Sequence, residues 1–143
     1  MSNVYISAAL RQQVEERARH CCEYCQTQEL IIGMPLEVEH IIPVVAGGKT
    51  HAVNLSLACP RCNRYKGTQT ELDDTITGEK ISLFNPRQQQ WHEHFMWQSE
   101  GLLLVGLTPT GRATINALQL NNRFILRSRQ LWIAQGWHPP QNG

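Results

Sequence analysis

The sequence predicts an α+β fold: a cysteine-bracketed β–β–α core with an N-terminal helix, followed by a C-terminal extension made of a hairpin and helices. Three observations support this prediction. Helical periodicity lies near both ends of the chain, short strand-like runs lie between them, and two Cys-x-x-Cys pairs bracket those runs. With 143 residues, the chain can bury a core without disulfides. We expect residues 1–70 to form the core and residues 71–143 the extension.

Residues 7–20 have the pattern of a surface helix. Ser7 is a suitable N-cap, because its hydroxyl can accept from a free backbone N–H. Leu10, Val14 and Ala18 recur at helical spacing on one face. That apolar face is predicted to pack against the core.

Two strands and a short helix are predicted next. Residues 36–42 read as a strand that ends before Pro43, and residues 54–58 as a second strand. Residues 59–67 have the pattern of a short helix, with Pro60 well suited to its first position. Together these elements form the predicted β–β–α unit.

The second half begins with a polar link that turns at residues 77–78. Residues 95–98 and 102–107 are predicted to pair as a hairpin across residues 99–101. The pattern after Pro109 is helical. One helical face is predicted to hold four apolar side chains: Phe124, Ile125, Leu131 and Trp132.

Composition excludes several classes of protein. Charged residues make up 17% and the formal net charge is +1, so the chain is neither strongly basic nor typical of disorder. Nucleic-acid binding would need a local basic patch, and Arg61, Arg64 and Lys66 form the densest one. The longest apolar runs are too short for a membrane span, and the N-terminus lacks a signal-peptide core. We therefore expect a cytoplasmic protein without a membrane partner.

The cysteine pairs predict a structural zinc site. Cys22 and Cys25 form one Cys-x-x-Cys knuckle, and Cys59 and Cys62 form another. Two knuckles can close a tetrahedral zinc, and four thiolates leave no open position for catalysis. The metal would staple the long loop between them, so the core is predicted to be zinc-stapled. The alternative is a set of buried or redox-active cysteines. The fifth, Cys21, is predicted to be a small core residue, although it could replace Cys22 as a ligand.

The residues inside this bracket resemble the HNH endonuclease family. The pattern consists of CEYC, EVEHIIP, a Gly-Gly pair, Asn-Leu and CPRCNRYKG, in that order. The resemblance implies a ββα-metal fold and metal-dependent hydrolysis of DNA that leaves 5′-phosphate and 3′-hydroxyl ends. It covers about a third of the chain. The second half looks like an extension found on some small HNH proteins, and no function is attached to it.

The resemblance implies roles for four residues. His40 would be the general base, and imidazole with its ordinary pKa of about 6.5 is available as a base at pH 7. Glu39 and Asn63 would bind the catalytic metal, and their oxygen atoms suit Mg²⁺ or Mn²⁺. Asn54 would bond across the loop and help to orient His40. Arg61, Arg64 and Lys66 would be the DNA-binding residues.

Two features depart from the common family pattern. Glu39 replaces the usual Asp, and Asn63 replaces the His that gives the motif its third letter. Neighbouring strand residues also face opposite sides, so Glu39 and His40 could share one phosphate only where the strand ends or twists.

Two other functions are compatible with the sequence. One is a nucleic-acid-binding zinc module that no longer cuts, and the other is a protein-interaction domain that uses zinc only for folding. The target, the choice between DNA and RNA and the oligomeric state are open.

Overall fold

The computed structural model describes residues 4–140, which contain six α-helices, three short 3₁₀ helices and six strands. The helices are α1 (Ala8–Arg17), α2 (Glu29–Ile32), α3 (Pro60–Lys66), α4 (Trp91–His94), α5 (Pro109–Leu118) and α6 (Arg123–Ala134). The strands are β1 (Glu37–His40), β2 (Leu55–Ala58), β3 (Glu71–Asp73), β4 (Lys80–Ser82), β5 (Phe95–Gln98) and β6 (Leu103–Gly106). Consecutive strands pair as three antiparallel two-stranded sheets, and the α+β prediction is confirmed.

The first sheet and α3 form the β–β–α unit that the sequence predicts. Glu39 lies opposite Ser56, and His40 lies opposite Leu55. Helix α3 follows β2 directly, with Pro60 in its first turn and Gly67 at its C-cap. The adjoining α1 is capped by Ser7, whose hydroxyl accepts from the Leu10 amide at 3.1 Å.

The outer edge of β2 is covered by the end of α1 and the first knuckle. Arg17 donates to the carbonyls of Ala52 and Leu55 at 2.9 and 2.7 Å. Glu23 bonds the Leu57 amide through its carboxylate and the Leu57 carbonyl through its own amide, both at 2.8 Å. These bonds satisfy backbone groups that a free edge would expose.

The second half packs against the first knuckle. The Trp91 indole donates to the Tyr24 carbonyl at 2.9 Å, and the Trp97 indole donates to the Gln26 side chain at 3.2 Å. The Phe84 ring lies edge-on to Tyr24, with 6.4 Å between centroids. This half therefore braces the segment that carries two of the predicted zinc ligands.

The predicted hairpin is present as β5 and β6, with Trp97 opposite Leu104. The prediction that one face of α6 buries all four apolar side chains is wrong. Phe124 and Leu131 are exposed, whereas Ile125 is buried together with Arg129. The Arg129 guanidinium is buried because the carbonyls of Leu102 and Leu120 and the side chain of Asn121 accept from it. Of the helices between residues 4 and 140, none has the length and apolar character needed to cross a membrane.

Candidate active site and zinc centre

The four knuckle cysteines converge at one buried point. Their sulfur atoms all lie within 4.8 Å of one another, and the Cys25 and Cys59 sulfurs are 3.7 Å apart. A tetrahedral zinc with Zn–S bonds of about 2.3 Å separates its sulfurs by about 3.8 Å. The donor set therefore fits a structural zinc ion and has the geometry that the spacing predicts. Cys21 lies outside this cluster, so Cys22 is the ligand candidate.

The surroundings of the cluster supply positive charge. Arg61 places a guanidinium nitrogen 3.6 Å from the Cys25 sulfur and 3.5 Å from the Thr27 hydroxyl. Burial disfavours the charge on Arg61, but the nearby cysteine sulfurs, Cys25 first, raise its pKa above the ordinary value. A zinc ion with four thiolates carries a net charge of about −2, which this guanidinium helps to balance. Arg61 is thus placed beside the four cysteines.

His40 lies at the end of β1, next to the loop that connects to β2. Its Nε2 is 2.9 Å from the Thr50 hydroxyl, which fixes the ring within this loop. The side chain is half-buried and so reaches solvent. Glu39 is directed to the opposite face of the strand, as alternation requires. The structure therefore does not bring His40 and Glu39 together on one face.

Asn54 fastens the loop between His40 and β2. The oxygen of its side-chain amide accepts from the Ile42 backbone amide at 2.9 Å. The NH₂ group of the same side chain donates to the carbonyls of Ile42 and Lys49 at 3.0 and 2.9 Å. Gly48 packs directly against the backbone of Ile42, and a Cβ atom added to it would be 1.7 Å from the Ile42 carbonyl oxygen. Only glycine fits there, which explains one of the two loop glycines. Asn54 thus fixes the loop that carries Thr50.

Glu39 lies in a buried polar cluster. Only 4% of the residue is exposed, and the Tyr24 and Ser56 hydroxyls both donate to Oε1, the latter at 2.7 Å. Burial, and then the Glu39 charge, hold the pKa of Tyr24 well above its usual value, so the phenol remains a donor. The Lys66 ammonium forms an ion pair with Oε2 at 3.1 Å. Both carboxylate oxygens therefore have protein partners.

Asn63 contacts a carboxylate that the sequence analysis did not select. Its amide nitrogen donates to Glu37 Oε1 at 2.7 Å. Glu37 and Glu39 lie on the same face of β1, and Asn63 and Lys66 lie one turn apart on α3. The two carboxylates thus face the two helix residues across one interface, with Glu37 on Asn63 and Glu39 on Lys66. The Asn63 side-chain oxygen accepts no hydrogen bond from residues 4–140, which leaves it available to a ligand.

The three predicted DNA-binding residues have different surroundings. Arg64 is exposed on α3. Arg61 contacts the cysteine cluster. Lys66 is 1% exposed, and its ammonium binds Glu39 and the Ile41 carbonyl, the latter at 2.9 Å. A phosphate could reach Lys66 only if these bonds broke, so Lys66 is better described as a structural residue.

Removing the Lys66 ammonium is expected to destabilise the core strongly. Lys66→Met leaves the Glu39 carboxylate buried without its cation, and breaking such a pair costs about 3–5 kcal/mol. The double variant Glu39→Gln with Lys66→Met removes both charges, so much of the lost stability should return. Urea denaturation of zinc-loaded protein measures both effects. Lys80→Met is the control, because Lys80 pairs with Asp73 on the surface at 3.9 Å. The interpretation is wrong if Lys66→Met is as harmless as Lys80→Met.

Comparison with known protein families agrees with this geometry. Residues 22–69, about a third of the chain, match the profile of a family described as HNH endonuclease. The matched segment contains both cysteine knuckles, β1, β2 and α3. A search of curated proteins finds no significant match to the chain. The HNH domain indicates a nuclease or another nucleic-acid-related function.

Proposed function

We propose that the HNH domain at residues 22–69 is a metal-dependent endonuclease that hydrolyses DNA phosphodiester bonds. The observation that carries the proposal is the placement of His40. It lies at the open end of β1, half-buried, with Thr50 holding its ring and Asn54 closing its loop. A positioned and partly accessible imidazole is what general-base activation of water requires. The zinc cluster has a structural role, because four thiolates leave no open coordination position.

The side chains between β1 and α3 are the proposed site of the catalytic cation. Asn63 supplies an amide oxygen, and Glu39 is the carboxylate that the family pattern assigns, with Glu37 beside it. A cation at Glu39 would have to take the place of the Lys66 ammonium. These are hard oxygen donors, which suit Mg²⁺ or Mn²⁺. When bound, such a cation would stabilise negative charge on the phosphate and on the leaving oxygen.

The other steps of the proposed reaction are assigned to side chains of the protein. His40 accepts the proton of the attacking water, and Thr50 keeps the imidazole in place. Asn54 positions both by closing the loop through its three hydrogen bonds. The exposed Arg64 is proposed to contact a phosphate of the bound DNA. The expected products are 5′-phosphate and 3′-hydroxyl ends.

Conversion of supercoiled plasmid by the purified protein tests the proposal. Nicking in the presence of Mg²⁺ or Mn²⁺, and none with a chelator that leaves the zinc in place, is the expected result. The ends of the cut strand should be substrates for a ligase without prior phosphorylation. Cleavage that persists without added divalent metal, or that leaves 3′-phosphate ends, would contradict the mechanism.

The second candidate is the non-cleaving, zinc-stabilised nucleic-acid-binding module. The Glu39–Lys66 ion pair is the observation that favours it, because an internal cation already neutralises that carboxylate. DNA binding without cleavage under either metal would favour this module.

A further inference from the structure

A large cleft opens on the side of the molecule where the second half meets the first knuckle. Its volume is about 960 Å³, and it is bordered by the end of α1, residues 84–91 and the C-terminal stretch near Trp137. Pockets for small ligands span about 300–1,000 Å³, so this cleft is at the upper end of that range. The proposed catalytic residues do not line it.

The cleft is continuous with the loop that carries Asn54. Arg17 lies on its wall and donates to the carbonyls of Ala52 and Leu55, which flank Asn54 in the sequence. A smaller adjoining hollow shares Arg17 and Arg87 with the cleft and reaches Val53. The cleft therefore extends, through this hollow, to Val53, which precedes Asn54 in the loop between β1 and β2.

Positive charge dominates the lining. Three arginines, Arg17, Arg19 and Arg87, face one carboxylate, Glu23, which is already paired with Arg87. The Arg87 side chain is only 12% exposed, and Glu23 neutralises it. Arg17 and Arg19 are exposed, and neither forms an ion pair in the described part of the chain, so their charges remain available to an anionic ligand. The cleft is therefore complementary to phosphate.

The far wall of the cleft carries a tryptophan that is free to stack. Trp137 is 53% exposed, although its backbone is held by bonds to Trp132 and to the Gln28 side chain. Glutamines 88–90 line the cleft as well, and their amides offer both donors and acceptors. Arginines with an accessible aromatic ring are the elements with which proteins bind single-stranded nucleic acid.

We propose that this cleft binds an unpaired segment of the nucleic-acid substrate next to the phosphate that is cut. Arg17 and Arg19 contact the backbone of that segment, and Trp137 stacks on one of its bases. The segment is unpaired because an indole can stack only on a base whose face is free of a neighbour. The inference rests on the proposed function, and it assigns a preference for single-stranded or branched DNA.

Fluorescence anisotropy of a labelled oligonucleotide tests the cleft separately from cleavage. The protein carries His40→Ala, so that binding is measured without cutting, and the probes are a single strand and a duplex of the same sequence. Two cleft variants, Arg19→Gln and Trp137→Ala, are compared with two matched controls, Arg11→Gln and Phe124→Ala. Arg11 is an exposed arginine on α1, and Phe124 is an exposed aromatic on α6; neither borders the cleft.

The single strand is expected to bind more tightly than the duplex. Each cleft variant should weaken single-strand binding about tenfold, and each control by less than about twofold. Arg19→Gln should also reduce the slope of log affinity against log salt by about 0.7. Cleft variants that behave like their controls overturn the inference, as does binding only to the duplex or to no oligonucleotide. Plasmid nicking by the protein that retains His40, measured in parallel, tests the proposed function on its own.

Discussion

Replacing Cys59 with serine is expected to abolish zinc binding and to unfold the core. Cys59 is one of the four buried cysteines of the cluster. Its sulfur also accepts from the Cys62 amide at 3.4 Å, a hydrogen bond that caps α3. Binding of a structural zinc contributes about 10–16 kcal/mol in small zinc domains. The total stability of a domain is about 5–15 kcal/mol, so little of the fold should survive the loss. Elemental analysis and thermal unfolding measure the two effects, and we expect one zinc per chain in the wild-type protein.

Cys21→Ser is the matched control for this experiment. Cys21 adjoins Cys22 in the sequence but lies outside the cluster and pairs its backbone with Gln28 in an isolated bridge. The control should keep its zinc and most of its stability. Wild-type protein without zinc, or a Cys59→Ser protein that unfolds at the wild-type temperature, would contradict the structural role of the cluster.

The β–β–α core and the zinc cluster could be predicted because their signals are local. Cys-x-x-Cys spacing, a proline at the start of α3 and a glycine at its end all act within a few residues. The contacts of the site are not local in this way. Glu39 meets Ser56 and Lys66, which are 17 and 27 residues away, so its partners depend on how the strands and helix pack.

One signal could have placed the site residues better. Glu37 and Glu39 share strand parity, and Asn63 and Lys66 are one helical turn apart. Two pairs with these spacings can meet across a strand–helix interface. Of the first pair, only Glu39 is predicted from the sequence as a site residue. The burial of Arg129 in α6 had no comparable signal, because its carbonyl partners come from loops that periodicity does not describe.

His40→Ala is expected to reduce plasmid nicking by about 10²–10⁴-fold, the range in which a general base contributes. Thr50→Val removes the hydrogen bond to the His40 ring but keeps the imidazole. We therefore expect Thr50→Val to reduce the nicking rate less than His40→Ala does.

His51→Ala is the control that separates a catalytic role from a general effect of losing a histidine. His51 is exposed in the same loop, and no hydrogen bond of its side chain is present in the described structure. We expect His51→Ala to cut at nearly the wild-type rate, and both histidine variants to keep their zinc and their unfolding temperature. Equal nicking by His40→Ala and wild type would exclude His40 as the base. A loss accompanied by released zinc would instead assign His40 to the fold, because His40 is not one of the four clustered cysteines and could affect zinc binding only through the fold.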